Sequence, residues 1–197
     1  MNKILDQAES LFLKFGIRSL TMDELSRSLG ISKKTLYQRI PNKSDLVSAI
    51  ITRFIERDKE AVREIIENSS DAIQEIRGFA KHVIQQLRKY PTNYIFELQK
   101  YYGESWKVLE AYNSDFIYTI IKENLEKGIS QGLYREGMNL DIVSRLYVGK
   151  IPIITDEEVF PLKSYEREEL FREFILYHLH GIVSKKGLEA IEEHFKI

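Results

Sequence analysis

Residues 21–43 read Thr-Met-Asp-Glu-Leu-Ser-Arg-Ser-Leu-Gly-Ile-Ser-Lys-Lys-Thr-Leu-Tyr-Gln-Arg-Ile-Pro-Asn-Lys, and this stretch decides the fold. Thr21 is a good N-cap, since its hydroxyl can accept from a backbone N–H one turn in. Asp23 and Glu24 follow in the first turn, where carboxylates complement the helix dipole. Met22, Leu25 and Leu29 recur at helical spacing, and Gly30 supplies the backbone freedom that ends such a helix. Ser32 then caps a second helix whose Leu36 and Ile40 point back at the first. Small Ser26 lies where the two helices cross. The spacing predicts a helix-turn-helix.

With Leu36 and Ile40 committed to a core, the free face of the second helix carries Lys33, Lys34, Thr35, Tyr37, Gln38 and Arg39. Such a set of donors suits phosphates and base edges in a major groove, which is wide enough to admit a helix. A merely solvated helix face is the plain alternative, and the flanking residues favour the first reading.

Those flanks are an amphipathic helix ending Leu-Phe-Leu-Lys-Phe-Gly at 11–16, then Leu36-Tyr37, Pro41, Lys43 and Leu46. In order and spacing, residues 3–55 resemble the TetR/AcrR family of bacterial transcriptional regulators, with Ile40 where that family usually has Phe. The resemblance implies a homodimeric repressor on double-stranded operator DNA, released by a small, mostly hydrophobic effector. It places Lys33 and Lys34 at base edges or nearby phosphates. Thr35, Tyr37, Gln38 and Arg39 would seat the helix in the groove, with Ser32 at its N-terminus. Thr21 and Lys43, at helix N-termini, would clamp phosphates.

The 197 residues suffice for one or two domains with a substantial core. Charge is uneven: residues 1–60 hold 11 Lys and Arg against 8 Asp and Glu, the remainder 18 against 22. A modestly basic head on an acidic body fits nucleic-acid contact at one end. There is no cysteine, so neither a disulfide framework nor thiolate chemistry is available. No charged-then-apolar leader opens the chain and no apolar run approaches ~18 residues, so a cytoplasmic protein without membrane contact is expected.

Along the chain, Ile4, Leu5, Ala8, Leu11, Phe12 and Phe15 predict a first helix stopped by Gly16. After Pro41, Asn42 caps a long helix reaching Asn68, with Asp45 in a capping-box-like position. Helices are expected over about 71–90, broken by Pro91, and over 92–102, closed by Gly103. A long helix marked by Trp106 to Ile129 follows, then one at 141–151 stopped by Pro152. Ile153 and Ile154 read as extended, inside an irregular stretch 152–163. Ser164 can cap a helix over 165–183, and a terminal one occupies 187–195. The fold class is all-α, about nine helices: a three-helix helix-turn-helix head at 1–45, and a larger helical ligand-binding and dimerisation body at 46–197.

Two further signals lie in the body. The helix at 165–183 has two apolar stripes, Leu170, Phe174, Tyr177, Gly181 and Phe171, Ile175, His178, Ile182, where a surface helix needs one. Either this helix is central to the core, or it also meets a second copy in a four-helix bundle, with 141–151, including Leu146, as the other contributor. Between 94 and 118 aromatics are dense, and they are either plain core or the lining of a pocket. Tyr101, Tyr102, Trp106 and Phe116 are the pocket candidates. His178 and His180 diverge around a helix and the other histidines are distant, so no metal site and no cofactor is expected. No phosphate loop, nucleophile elbow or spaced carboxylate pair appears, which argues against an enzyme. A competing reading keeps the helix-turn-helix and lets the body act through a protein partner.

Overall fold

The computed structural model describes residues 2–161 and 163–194, and not the side chains of residues 193 and 194. Residue 195, placed by the sequence in the last helix, lies outside them. The described chain is all-α, with no strand and one isolated antiparallel bridge, Tyr134 to Val183. Its helices are α1 (Asn2–Phe15), α2 (Met22–Ser28), α3 (Lys33–Arg39), α4 (Lys43–Asn68), α5 (Ala72–Lys89), α6 (Thr92–Tyr101), α7 (Gly103–Tyr112), α8 (Tyr118–Ser130), α9 (Leu140–Thr155), α10 (Arg167–Ile182) and α11 (Lys185–His194). No helix is long and apolar enough to cross a membrane, among the described residues.

Three expected boundaries move. Pro152 does not stop α9, which runs on to Thr155. The proline removes one donor near the helix end, and the Thr155 hydroxyl caps the last turn by donating to Ile151 O (3.1 Å) and Pro152 O (3.0 Å). Ile153 and Ile154 are therefore helical. Gly103 opens α7 instead of closing α6; Tyr102 makes the break with a non-helical backbone. Ser164 caps nothing, because α10 begins at Arg167 after Glu166. The long helix expected from Trp106 is real, but a π turn, Asn113–Ile117, joins α7 to α8. These divisions raise the helix number above the nine expected.

Two compact units form. The first comprises the residues up to Lys59 together with Arg88–Ala111, so α6 shares a unit with the helix-turn-helix. Its core takes Leu5, Ala8 and Phe12 from α1, Leu25 and Leu36 from α2 and α3, and Leu46, Val47 and Ile50 from α4. The second unit, Glu60–Leu87 with the residues from Tyr112 onward, is built on Ile73, Ile76, Ile121, Leu125, Tyr134, Ile175 and Leu179.

Each unit buries a polar network. In the second, Glu75 meets Lys127 (2.5 Å) and accepts from Asn124 Nδ2 (2.7 Å), while the Tyr134 hydroxyl donates to Asn124 Oδ1 (3.0 Å) and Ala72 O (3.2 Å). In the first, Glu9 of α1 is 5% exposed. Its carboxylate accepts from Arg57 Nη2 (3.0 and 2.8 Å), from the Tyr90 hydroxyl, and from Lys89 Nζ (3.4 Å). Burial alone pushes the Glu9 carboxyl up, but the Tyr90, Arg57 and Lys89 donors outweigh it and hold it below its ordinary 4.5. A depressed carboxyl contributes stability that is present above the unfolded value and lost as pH falls through the folded one. Glu9→Gln is therefore expected to cost about 2 kcal/mol at pH 7. The difference from the parent should shrink as urea midpoints are followed from pH 7 to pH 3. A difference that stays constant over that window would show that folding does not depress the Glu9 carboxyl.

Candidate nucleic-acid interface

The helix-turn-helix is fixed by its caps. Thr21 Oγ1 accepts from Glu24 N–H (3.2 Å), and Glu24 Oε2 accepts from Thr21 N–H (2.7 Å), a reciprocal capping box. The Thr21-x-x-Glu24 spacing carries that signal, although only the Thr21 half was anticipated. The backbone bond from Thr21, with the Thr21 hydroxyl, holds the Glu24 carboxyl below its usual range. Gly30 turns the chain at φ +66°, a conformation that side chains disfavour. Ser32 caps α3, its Oγ accepting from Thr35 N–H (3.1 Å). Ser26 is buried between the helices and donates to Asp23 O (2.9 Å).

Leu36 is fully buried and Ile40 nearly so, which turns the rest of α3 outward as its periodicity demands. Lys33, Lys34, Tyr37, Gln38 and Arg39 are exposed, Tyr37 to 44%, and Thr35 is half-buried. Lys33 is not wholly free, since its ammonium pairs with the Asp23 carboxylate of α2, yet its side chain keeps 62% exposure. An exposed pair of this kind is worth little and opens readily to a stronger anion. Ser32 and Thr35 share a hydroxyl contact of 2.8 Å at the N-terminus of α3.

Lys43 is placed differently from the rest. Its ammonium donates to the carbonyls of Leu20 and, at 3.3 Å, Arg18, and lies 5.9 Å from the Phe12 ring centre. Burial pushes this lysine down, partly offset by Glu97 and Glu24. The side chain thus ties the start of α4 to the turn before α2, while Asn42 caps α4 by accepting from Asp45 N–H (2.9 Å).

The other candidate residues scatter. Tyr101, Tyr102 and Trp106 belong to the first unit and Phe116 to the second. The Arg18 guanidinium lies 4.2 Å over the Tyr101 ring, and Phe116 stacks on Tyr112 at 5.3 Å. Tyr102 and Trp106 are half-buried. None of the four lines the open groove of about 720 Å³ between α9 and α10, which Tyr147, Lys150, Glu173, Tyr177, His178 and Gly181 help to wall. The two stripes of α10 divide. Phe171, Phe174, Ile175, His178 and Ile182 are buried in the unit's own core, with Leu170 half-buried; Tyr177 (69% exposed) and Gly181 face outward, as does Leu146 (54%) of α9. Burial drives His178 down to about 4, and its Nε2 lacks a hydrogen-bond partner. No cluster of metal-ligating side chains occurs among the described residues. Glu9 was missed by sequence reading; its signal is a carboxylate sitting inside the apolar stripe of α1.

Residues 4–50 match the model of the bacterial regulatory proteins of the tetR family. A relative in Bacillus subtilis (strain 168), described as the uncharacterized HTH-type transcriptional regulator YvaF, is 28% identical over 174 residues, covering 87% of this chain and 90% of its own. Among solved structures, a regulator from Saccharomonospora viridis in complex with choline superposes with TM-score 0.73 at 15% identity, over 93% of this chain and 97% of its own. AibR, in complex with isovaleryl coenzyme A and operator DNA, does so with TM-score 0.58 at 18% identity, over 88% and 95%. At such identities the solved structures speak for the fold; the matched head and the YvaF relative speak for the family. The match over residues 4–50, which contains the helix-turn-helix at 21–43, together with the YvaF relative supports a TetR-family transcriptional regulator with a DNA-binding head.

Proposed function

We propose that this regulator is a homodimeric repressor that holds operator DNA through α3 and is released by a small, mostly hydrophobic ligand. The observation that carries the reading is the outward face of α3, where Lys33, Lys34, Tyr37, Gln38 and Arg39 are exposed around a buried Leu36. Lys33 and Lys34 address base edges or phosphates; Thr35, Tyr37, Gln38 and Arg39 seat the helix. Thr21 and Ser32 bring the N-termini of α2 and α3 to phosphates. Lys43, its ammonium occupied by two carbonyls, serves phosphate through the N-terminus of α4.

A second copy fits the outward stripe of α9, where Ile142, Leu146 and Ile153 are about half exposed at helical spacing, beside Tyr177 of α10. Gly149 and Gly181 have open space where a β-carbon would stand, so another backbone can approach closely. Such a two-fold contact pairs two heads with a palindrome. The ligand is assigned to the aromatic residues Tyr101, Tyr102 and Trp106 of the first unit, and Trp106, the chain's only tryptophan, gives a fluorescence signal. The small molecules bound by the S. viridis protein and by AibR support a ligand-responsive body.

A selection of random duplexes with the full chain should enrich a palindrome with half-sites roughly 34–36 Å apart. Sedimentation should find two 23.2 kDa chains on each duplex. Compounds that shift Trp106 emission should release it, and Leu146→Glu with Tyr177→Glu should leave a folded monomer of weak affinity. A parent that sediments as a monomer at micromolar concentration, or a selection that enriches nothing, contradicts the reading.

A further inference from the structure

The turn at residues 16–20 delivers the chain to Thr21, the first capping residue of the helix-turn-helix, and it is held from two sides. Within itself it is closed by Gly16 N–H donating to Phe12 O (2.8 Å) and by the Ser19 hydroxyl donating to the carbonyls of Phe15 and Gly16. From one side the Lys43 ammonium takes the carbonyls of Arg18 and Leu20. From the other side comes α6. Arg18 N–H donates to Glu97 Oε2 at 2.9 Å, across 79 residues of sequence. Gly16, at φ +86°, lies against the same carboxylate: a β-carbon there would stand 3.3 Å from both Glu97 oxygens. One turn further along α6, the Tyr101 ring carries the Arg18 guanidinium at 4.2 Å. Backbone and side chain of a single turn residue are thus both engaged by α6.

We infer that Glu97 and Tyr101 are positioning residues for DNA recognition, holding the 16–20 turn, and through it Thr21 and α2, where α3 can enter a major groove. The inference rests on α3 being the reading helix. A carboxylate accepting a backbone N–H is a strong, directional contact, and a ring under a guanidinium adds a second fixed point. The turn leads straight into α2, which packs on α3 and buries Leu25 and Ser26, so a shift of the turn moves the helix-turn-helix. Base-edge contacts demand placement, whereas attraction to phosphate demands mainly charge. Loss of Glu97 should therefore weaken specific binding and spare non-specific binding. A contact that only stabilises the fold would affect both together.

The test uses the full chain as parent, Glu97→Ala and Glu97→Gln, with a duplex enriched from random DNA and an unrelated duplex of equal length. Glu97→Ala should bind the enriched duplex roughly tenfold more weakly, with affinity for the unrelated duplex unchanged. Glu97→Gln, which keeps an acceptor oxygen, should restore most of the loss. By NMR, exchange of the Arg18 amide should be slow in the parent and Glu97→Gln and fast in Glu97→Ala, which shows that the bond itself was removed. Equal binding of the enriched duplex by Glu97→Ala and parent overturns the inference. So does a parallel loss on both duplexes with a lowered melting point. If the parent enriches no duplex, the DNA-binding role of α3 fails first, and this inference with it.

Discussion

Replacing Lys34 and Tyr37 together by alanine is expected to lower affinity for the selected operator about a hundredfold. Each side chain is exposed on the outward face of α3, and a base or phosphate contact of this kind is worth roughly 1–3 kcal/mol. They sit three residues apart and share a surface, so the combined loss is set near the lower end of their sum. Neither contributes to the core formed by Leu36 and Ile40, so the thermal midpoint should hardly move, as for most surface substitutions. The dependence of binding on salt should flatten as a cationic partner of phosphate is removed. A fluorescence titration at several salt concentrations measures both effects. If the face were only solvated, affinity and salt slope would match those of the parent.

The largest effect on stability is expected from Gly128→Ala in α8. A β-carbon at this position would stand 2.0 Å from Cδ2 of Tyr134, whose ring is almost wholly buried. The ring cannot swing aside cheaply, because its hydroxyl donates to both Ala72 O and Asn124 Oδ1. Asn124 in turn donates to Glu75, so displacement also disturbs a buried carboxylate. Overpacking costs about 1–3 kcal/mol and a broken buried hydrogen bond a similar amount. Alanine's better helix propensity returns only about 1 kcal/mol. The clash wins, with a net cost of roughly 4 kcal/mol and a melting point lowered by about 10 °C. Gly103→Ala is the control: it stands in open space at the start of α7, and its melting point should be unchanged or slightly raised. Equal melting points for Gly128→Ala and parent would mean that Tyr134 is not locked in the core.

The head was legible because its signals are local. Thr21, Gly30, Ser32 and Asn42 each act within three or four residues of themselves, and each cap or turn falls where the sequence put it. The body was legible as helices but less so at their ends. Pro152 stands near the end of α9, where the Thr155 hydroxyl takes over two of the terminal carbonyls, a compensation no propensity rule contains. The doubled stripe of α10 could not say which half was core; packing against α9 decided it, with the Tyr147 ring set between Phe174 and His178. Contacts across long sequence separation stayed hidden. Glu97 meets Arg18 and Glu9 meets Arg57 and Tyr90 only after folding, and nothing in the periodicity of α6 or α4 announces either. Lys43 shows the same limit in another form. Its position at a helix N-terminus suggested phosphate, and the bonds of its ammonium to the carbonyls of Arg18 and Leu20 in the turn before α2 could not be read from that spacing.

The most direct measurement is a lysine acetylation footprint of the full chain, with and without the enriched duplex. Lys34 and Lys33 are exposed on α3 and should lose reactivity when DNA is added, whereas Lys81 and Lys185, exposed in the second unit, should react as before. Unchanged reactivity of Lys33 and Lys34 on a saturated duplex, or shielding confined to Lys81 and Lys185, would contradict recognition through α3.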